Sequence, residues 1–187
     1  MTLTARIETA ANDLTDRVLG EMYKNPFWHK RYGERADKHG RQDGLFHIKY
    51  LVEALTANDP NVMEQYARWL QALLTTRGMC TRHLDENFEL LATAIRDTIE
   101  DSEPAGRMLY RARQALFYAP GPARSVQDLM PRLPEDLRYF ASYAADALHL
   151  NMPKVFTDYV ELVGGDADVV TLREIITREL PGVTLPA

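Results

Sequence analysis

Apolar residues recur at intervals of three and four along almost the whole chain, and this spacing constrains the fold more than any other feature. An α-helix brings residues three and four positions apart onto one face, whereas a strand alternates its faces at every residue. No segment alternates polar and apolar residues for long enough to indicate a strand. The sequence therefore predicts an all-α protein.

Proline and glycine divide this pattern into separate helices, because proline disfavours helical geometry in the residue before it and glycine is the usual residue just beyond a helix end. The predicted helices cover about residues 3–24, 33–57, 60–77, 81–99, 103–118, 125–131, 134–149, 153–163 and 168–179. The apolar stripe of the helix over 33–57 includes Phe46. The buried side of the next helix is expected to include Tyr66 and Trp69.

The strongest break in the chain is Pro120-Gly121-Pro122. A chain of 187 residues is expected to form one domain with an appendage. We therefore divide it into residues 1–119 and a C-terminal helical extension over residues 120–187.

The extension partly repeats the middle of the chain. A displacement of 93 residues aligns 43–66 with 136–159 and gives eight identities in 24 positions without a gap. The shared residues include two tyrosines, at positions 50/143 and 66/159, and an Asn-x-Pro turn. Two interpretations stay open. The segments are a true duplication, or they are alike only because any two helices joined by such a turn need similar capping residues and a similar apolar stripe.

Charge and cysteine content exclude several classes of protein. The net charge is −5 with both signs interspersed, so no basic stripe favours nucleic acid as a partner. The N-terminal residues contain no long apolar run, which argues against a signal peptide and a membrane span. The single cysteine, Cys80, excludes an internal disulfide, is expected to be a small buried side chain, and fits a cytoplasmic location.

The densest polar cluster lies in and just before the start of the helix over 33–57. It consists of Tyr32, Lys38, His39, Arg41, Asp43 and His47. Four features follow one another along the chain in the order found in phycobiliproteins. They are this cluster, a Leu-rich stretch, the turn Ala57-Asn58-Asp59-Pro60 and the step Met63-Glu64-Gln65-Tyr66. Residues from about 15 to 118 thus resemble the phycobiliproteins of phycobilisomes, which implies a globin-like helical bundle over residues 1–119.

The resemblance also implies a ligand, a linear tetrapyrrole (bilin) such as biliverdin or a phycobilin. Asp43 matches the family's chromophore aspartate and would accept hydrogen bonds from the pyrrole N–H groups, while Lys38 and Arg41 would pair with the propionates. The other candidate ligand-binding side chains are the aromatic rings and imidazoles of Trp28, Tyr32, His39, Phe46 and His47.

Two departures from the family pattern argue against covalent attachment of the bilin. Gly40, or His39 if the alignment slips by one residue, stands where the family has its bilin-linking cysteine. Gln42 replaces the arginine beside the chromophore aspartate, and Arg41 points about 100° away from that position around the helix. The chain is therefore closest in character to the non-photosynthetic globins associated with bilin biosynthesis. We expect noncovalent binding of a bilin for carriage, sensing or support of bilin metabolism, a homodimer, and a bilin-biosynthesis enzyme as a further partner.

Haem and metal ions are weaker candidates. Residues 60–77 contain no histidine where a proximal haem ligand would stand, and His47 and His83 lie on other helices. His39 and His47 stand eight residues apart, about 12 Å along a helix, so they cannot hold one ion together. The sequence also lacks the nucleophile elbow, phosphate loop and zinc motif of common hydrolases. It favours a binding protein over an enzyme, with no metal site.

The main alternative is a ligand-free helical module for protein–protein interaction. The face formed by residues 38–47 distinguishes the two functions. A concave face lined by apolar side chains would favour a small ligand, whereas a flat, solvated face would favour an interaction module.

Overall fold

In a computed structural model, which describes residues 1–186, the chain is all-helical, as its apolar spacing predicts. These residues form no strand, and two short 3₁₀ helices, Met130–Arg132 and Glu135–Leu137, lie between α8 and α9. The α-helices α1 to α11 are Leu3–Thr9, Ala11–Met22, Phe27–Tyr32, Arg35–Ala57, Pro60–Thr75, Thr81–Thr98, Glu103–Gln114, Pro122–Leu129, Arg138–Leu150, Pro153–Val163 and Asp166–Glu179. Within the same residues, none of these helices combines the length and apolar character needed to cross a membrane.

Most helix boundaries follow the predicted signals. The helix predicted over residues 3–24 is interrupted, because α1 ends at Thr9 and α2 begins at Ala11. Asn58 ends α4 in the left-handed conformation with φ 49°, and Pro60 then opens α5. Asparagine tolerates this conformation better than most residues, and proline suits a first helical position. A globin-like arrangement of these helices stays a prediction.

Contacts between Cα atoms divide the chain into two compact units. The first unit contains Met1–Leu70 and Leu84–Leu116. The second contains Gln71–His83 and the chain from Phe117 onward. The segment between α5 and α6 therefore packs with the later part of the chain.

In the first unit, α2 and α4 cross closely at two glycines of α4. A β-carbon built on Gly44 would lie 2.6 Å from Cγ2 of Thr15, and one built on Gly40 would overlap the hydroxyl of Tyr23. Glycine at both positions therefore allows the two helix backbones to approach. The inward side of α6 and the residue that follows the helix are all buried: Leu84, Phe88, Leu91, Ile95 and Ile99.

The expectation that Trp69 is buried was wrong. Its side chain is 58% exposed, whereas Tyr66, three residues earlier on the same helix, is 5% exposed. The apolar stripe of α5 is broader than the surface that the neighbouring helices cover, so the residue at its edge faces solvent.

In the second unit, α9 is the central helix, and every residue from Phe140 to Ala147 is buried. Four alanines in this stretch keep the helix narrow, which lets neighbouring helices pack against more than one of its sides. The helices that pack against it include α8 and α10. One buried residue of α9, Asp146, is charged in water and needs partners inside the protein.

Candidate functional site

The charged residues predicted to hold a ligand lie on the solvated side of α4. Lys38, His39, Arg41 and Asp43 are all exposed. The guanidinium of Arg41 forms an ion pair with Asp16 on α2, and it also donates to the side-chain oxygen of Asn12 at 3.3 Å. Arg41 is therefore engaged in a surface contact between α2 and α4.

The charge of Asp43 acts on two tyrosine hydroxyls, although its own side chain is exposed. Partial desolvation raises the pKa of its carboxyl group, and the charge of His39 opposes this effect. Burial, followed by the charges of Asp37 and Asp43, raises the pKa of Tyr23 to about 12. Burial and then the charge of Asp43 raise the pKa of Tyr66 as well. The charge of Asp43 therefore adds to the effect of burial on both phenols.

Trp28 and Tyr32 belong to an aromatic cluster on α3. Trp28 is 8% exposed, and its ring stacks on that of Tyr32 with centroids 6.2 Å apart. Trp28 also contacts Tyr23, and Phe27 meets it edge-on. These rings thus stabilise the corner between α2 and α4.

His47 is a core residue of the first unit. It is 3% exposed, and its Nδ1 lies 2.7 Å from the hydroxyl of Tyr66. Burial lowers the pKa of His47 to about 4, so the imidazole is neutral at pH 7. The structure does not bring it to the surface that carries Lys38 and Arg41.

A small hollow adjoins His47 and is lined by Thr15, Val18, Leu19, Gly44, His47, Asn87 and Leu91. It has room for about one water molecule, whereas sites for drug-sized ligands occupy roughly 300–1,000 Å³. The hydroxyl of Thr15 is buried there without a hydrogen-bond partner. This hollow is therefore too small for a tetrapyrrole.

Gly40 of α4 faces α2. The Tyr23 hydroxyl that fills the space beside it donates a hydrogen bond to the carbonyl of Ala36 at 2.6 Å. A side chain at position 40 would point into this contact.

Sequence reasoning named Phe46 but missed the row of rings that accompanies it on α4 and α5. The rings of Tyr50 and Tyr66 stack with centroids 4.0 Å apart, and that of Trp69 follows 6.2 Å from Tyr66. Phe46, one helical turn before Tyr50, is 44% exposed. We call the surface formed by Phe46, Tyr50 and Trp69 the aromatic face. The sequence indicated this surface through the apolar stripe of the helix over 33–57, which is wider than a helix needs when only one of its sides is packed.

The two segments related by 93 residues adopt the same conformation. Asn151 ends α9 in the left-handed region with φ 51°, as Asn58 ends α4 with φ 49°. Tyr143 and Tyr159 stack at 4.0 Å, like Tyr50 and Tyr66. Phe140 meets Tyr159 at an interplanar angle of 65°, and His47, its counterpart, meets Tyr66 at 64°. Each segment therefore builds the same aromatic corner.

The second unit contains a buried polar cluster centred on Asp146. The carboxylate accepts hydrogen bonds from the backbone N–H of Thr81 at 2.8 Å, the Thr81 hydroxyl at 2.6 Å and the Tyr118 hydroxyl at 2.6 Å. Burial raises the pKa of Asp146 to about 6, and these hydrogen bonds limit the rise. Sixty-five residues separate Thr81 from Asp146. No local pattern in the sequence indicated this contact.

Cys80 and His83 lie in the same unit, with Sγ and Nδ1 3.5 Å apart. The expectation that Cys80 is buried is confirmed, since it is 2% exposed. Burial raises the pKa of the Cys80 thiol and lowers that of His83 to about 3, so both groups are neutral at pH 7. A reactive cysteine requires a thiolate. No three histidine, cysteine or acidic side chains in residues 1–186 are grouped to hold a metal ion.

No protein-family model matches the sequence, and neither a curated protein nor a solved structure shows significant similarity to it.

Proposed function

We propose that this protein is a helical interaction module that associates with further copies of itself through the aromatic face. The observation that carries the proposal is the exposure of Phe46 and Trp69, at 44% and 58%, beside the stacked rings of Tyr50 and Tyr66. Exposed aromatic groups of this kind often mark interaction surfaces, and tyrosine and tryptophan are enriched among the residues that dominate binding energy.

The surroundings of the aromatic face support a protein partner more than an enclosed small molecule. The charged side chains at positions 38–43 are solvated, and the hollow beneath them holds about one water molecule. Exposed Lys49 and Glu53 flank Tyr50 with opposite charges, and such charged groups at the rim of an apolar surface suit contact with a protein. Most soluble oligomers are built from identical chains.

Sedimentation velocity over a range of concentrations tests this proposal. We expect reversible association that Trp69→Ala weakens by at least tenfold, because a buried aromatic anchor contributes strongly to binding. Tyr110→Ala is the matched control, since Tyr110 is 59% exposed on α7. A protein that stays monomeric up to about 1 mM would have less than about 4 kcal/mol of association free energy, which would refute the proposal.

Noncovalent binding of a bilin is the second candidate, and the position of Asp43 favours it. Asp43 lies three residues before Phe46 on α4, so its exposed carboxylate could accept hydrogen bonds from a tetrapyrrole stacked on the exposed ring of Phe46. Lys38 and His39 lie exposed on the same helix and are available to propionates. Haem has less support, because His47 contacts Tyr66 and His83 is 1% exposed.

Absorbance titrations with biliverdin and with hemin distinguish these ligands. A saturable, red-shifted, one-to-one biliverdin spectrum that Asp43→Asn weakens would support bilin binding. A Soret band with hemin alone would favour haem. No spectral change with either compound would leave the interaction module as the sole candidate. We also propose a cytoplasmic location, on the ground that the single cysteine is buried and unpaired.

A further inference from the structure

The second unit contains a covered version of the aromatic face. Tyr139 and Tyr143 are the counterparts of Phe46 and Tyr50. The hydroxyl of Tyr143 donates to the carbonyl of Gly78 at 2.7 Å, and Tyr143 is 1% exposed. The ring of His83 lies 4.9 Å from that of Tyr139. The turn that follows α5 and the start of α6 thus cover this pair of rings.

The first unit leaves the same surface open. Phe46 is 44% exposed, and Tyr50 is partly exposed. No residue among 1–186 forms a hydrogen bond with the Tyr50 hydroxyl, although its counterpart in the second unit donates to a backbone carbonyl. The second unit therefore shows what covers such a pair of rings, namely a turn that ends one helix and begins another.

The chain has a second turn of this kind, between α10 and α11. Gly78 follows α5 with φ 90°, and Gly164 follows α10 with φ 72°. Gly164 is exposed, and its carbonyl accepts no backbone hydrogen bond from the described residues. Val170, on the helix that follows, is 57% exposed. This turn therefore has an unused acceptor, and the helix that it begins carries an exposed apolar side chain.

We infer that copies of the chain associate head to tail, with the α10–α11 turn of one copy covering Phe46 and Tyr50 of the next. The Tyr50 hydroxyl donates to the Gly164 carbonyl of the second copy, and Val170 of that copy packs against Phe46. This inference rests on the proposed function and specifies the surface that the aromatic face binds.

One further position on α4 fits the start of α11. Ser142, the counterpart of Lys49, accepts the backbone N–H of Arg82 at 3.0 Å. Position 49 therefore faces the first turn of the covering helix. In α11 that turn contains Asp166 and Asp168, whose negative charges attract Lys49.

Two complementary variants test this arrangement. Phe46→Asp places a charge on the aromatic face, and Val170→Asp places one beside the α10–α11 turn. Each variant alone is expected to be monomeric in sedimentation velocity, because each lacks one of the two surfaces. An equimolar mixture is expected to form a dimer and nothing larger, because each variant keeps the surface that the other needs. Tyr50→Phe is expected to weaken self-association about fivefold, the usual loss for one hydrogen bond.

The outcomes separate this inference from the proposed function. One outcome would overturn the head-to-tail contact alone: the wild type associates, Phe46→Asp prevents association, and the mixture of the two variants stays monomeric. In that case the aromatic face pairs with a surface other than the α10–α11 turn. If the wild type itself is monomeric, both proposals fail. Circular dichroism and thermal unfolding establish that both variants are folded, and Tyr110→Asp controls for the addition of a surface charge.

Discussion

The hydroxyl of Tyr23 occupies the space into which a side chain on Gly40 would extend. This contact locks the end of α2 against α4, because the same hydroxyl also donates to the Ala36 carbonyl. It gives a physical reason for glycine at position 40, because any side chain there would have to displace Tyr23.

Gly40→Ala is expected to lower the free energy of unfolding by about 1–2 kcal/mol, because overpacking outweighs the better helix propensity of alanine. Gly20→Ala is the control, since a β-carbon there would have no neighbour within 4 Å. The control is expected to raise stability by about 0.5–1 kcal/mol. Urea denaturation measures the free energy of unfolding of both variants. Equal stabilities would show that the Tyr23 side chain moves aside at no energetic cost.

Tyr118→Phe is expected to destabilise the protein by about 1–2 kcal/mol at pH 7.5 through loss of the hydrogen bond to Asp146. The folded pKa of Asp146, about 6, lies above its unfolded value, so burial of this group costs stability above pH 6. That cost disappears as the pH falls towards 4. Since Tyr118 stabilises the charged carboxylate, the loss in Tyr118→Phe is expected to be smaller at pH 5.

Unfolding at pH 7.5 and pH 5 measures this difference, with Tyr110→Phe as the control on an exposed tyrosine. A loss that is equal at both values of pH would contradict the assigned role of Tyr118.

His47→Phe is expected to make the protein less sensitive to acid. The folded pKa of His47, about 4, lies below its unfolded value of about 6.5, so its contribution to stability is complete above pH 6.5 and is lost towards pH 4. Phenylalanine removes this titration, and it is the residue at the equivalent position 140 of the second corner.

The same variant loses the hydrogen bond to Tyr66, which is expected to cost about 1 kcal/mol at pH 7.5. Chemical denaturation at pH 7.5, 5.5 and 4.5 gives the slope of stability with pH. His39→Gln, which alters an exposed histidine, is the control. An unchanged slope in His47→Phe would mean that His47 is charged in the folded protein.

The sequence predicted those features of the fold that depend on local interactions. Pro60 and Pro153 each begin a helix, and the asparagines two residues before them end the preceding ones, because these residue types have strong backbone preferences. The break at Ala10 was not predicted, since alanine favours the helix interior and carries no signal for a helix end.

The candidate site was harder to predict, because burial depends on residues distant in the chain. His47 and Phe46 are neighbours, yet one is 3% and the other 44% exposed. Arg41 pairs with Asp16, 25 residues away, and spacing along α4 contains no information about that partner. Trp69 was misassigned for the same reason, since the width of an apolar stripe does not reveal how much of it other helices cover.

The two aromatic corners also have a consequence for the order of folding. Tyr50 and Tyr66 meet after closure of a short loop within one helical hairpin, as do Tyr143 and Tyr159. The bond between Thr81 and Asp146 spans 65 residues, which makes its closure about 1 kcal/mol more costly in chain entropy. Both hairpins are therefore expected to form before that bond. Pulsed hydrogen exchange during refolding would then show early protection in α4 and α9, and slower protection at the backbone N–H of Thr81.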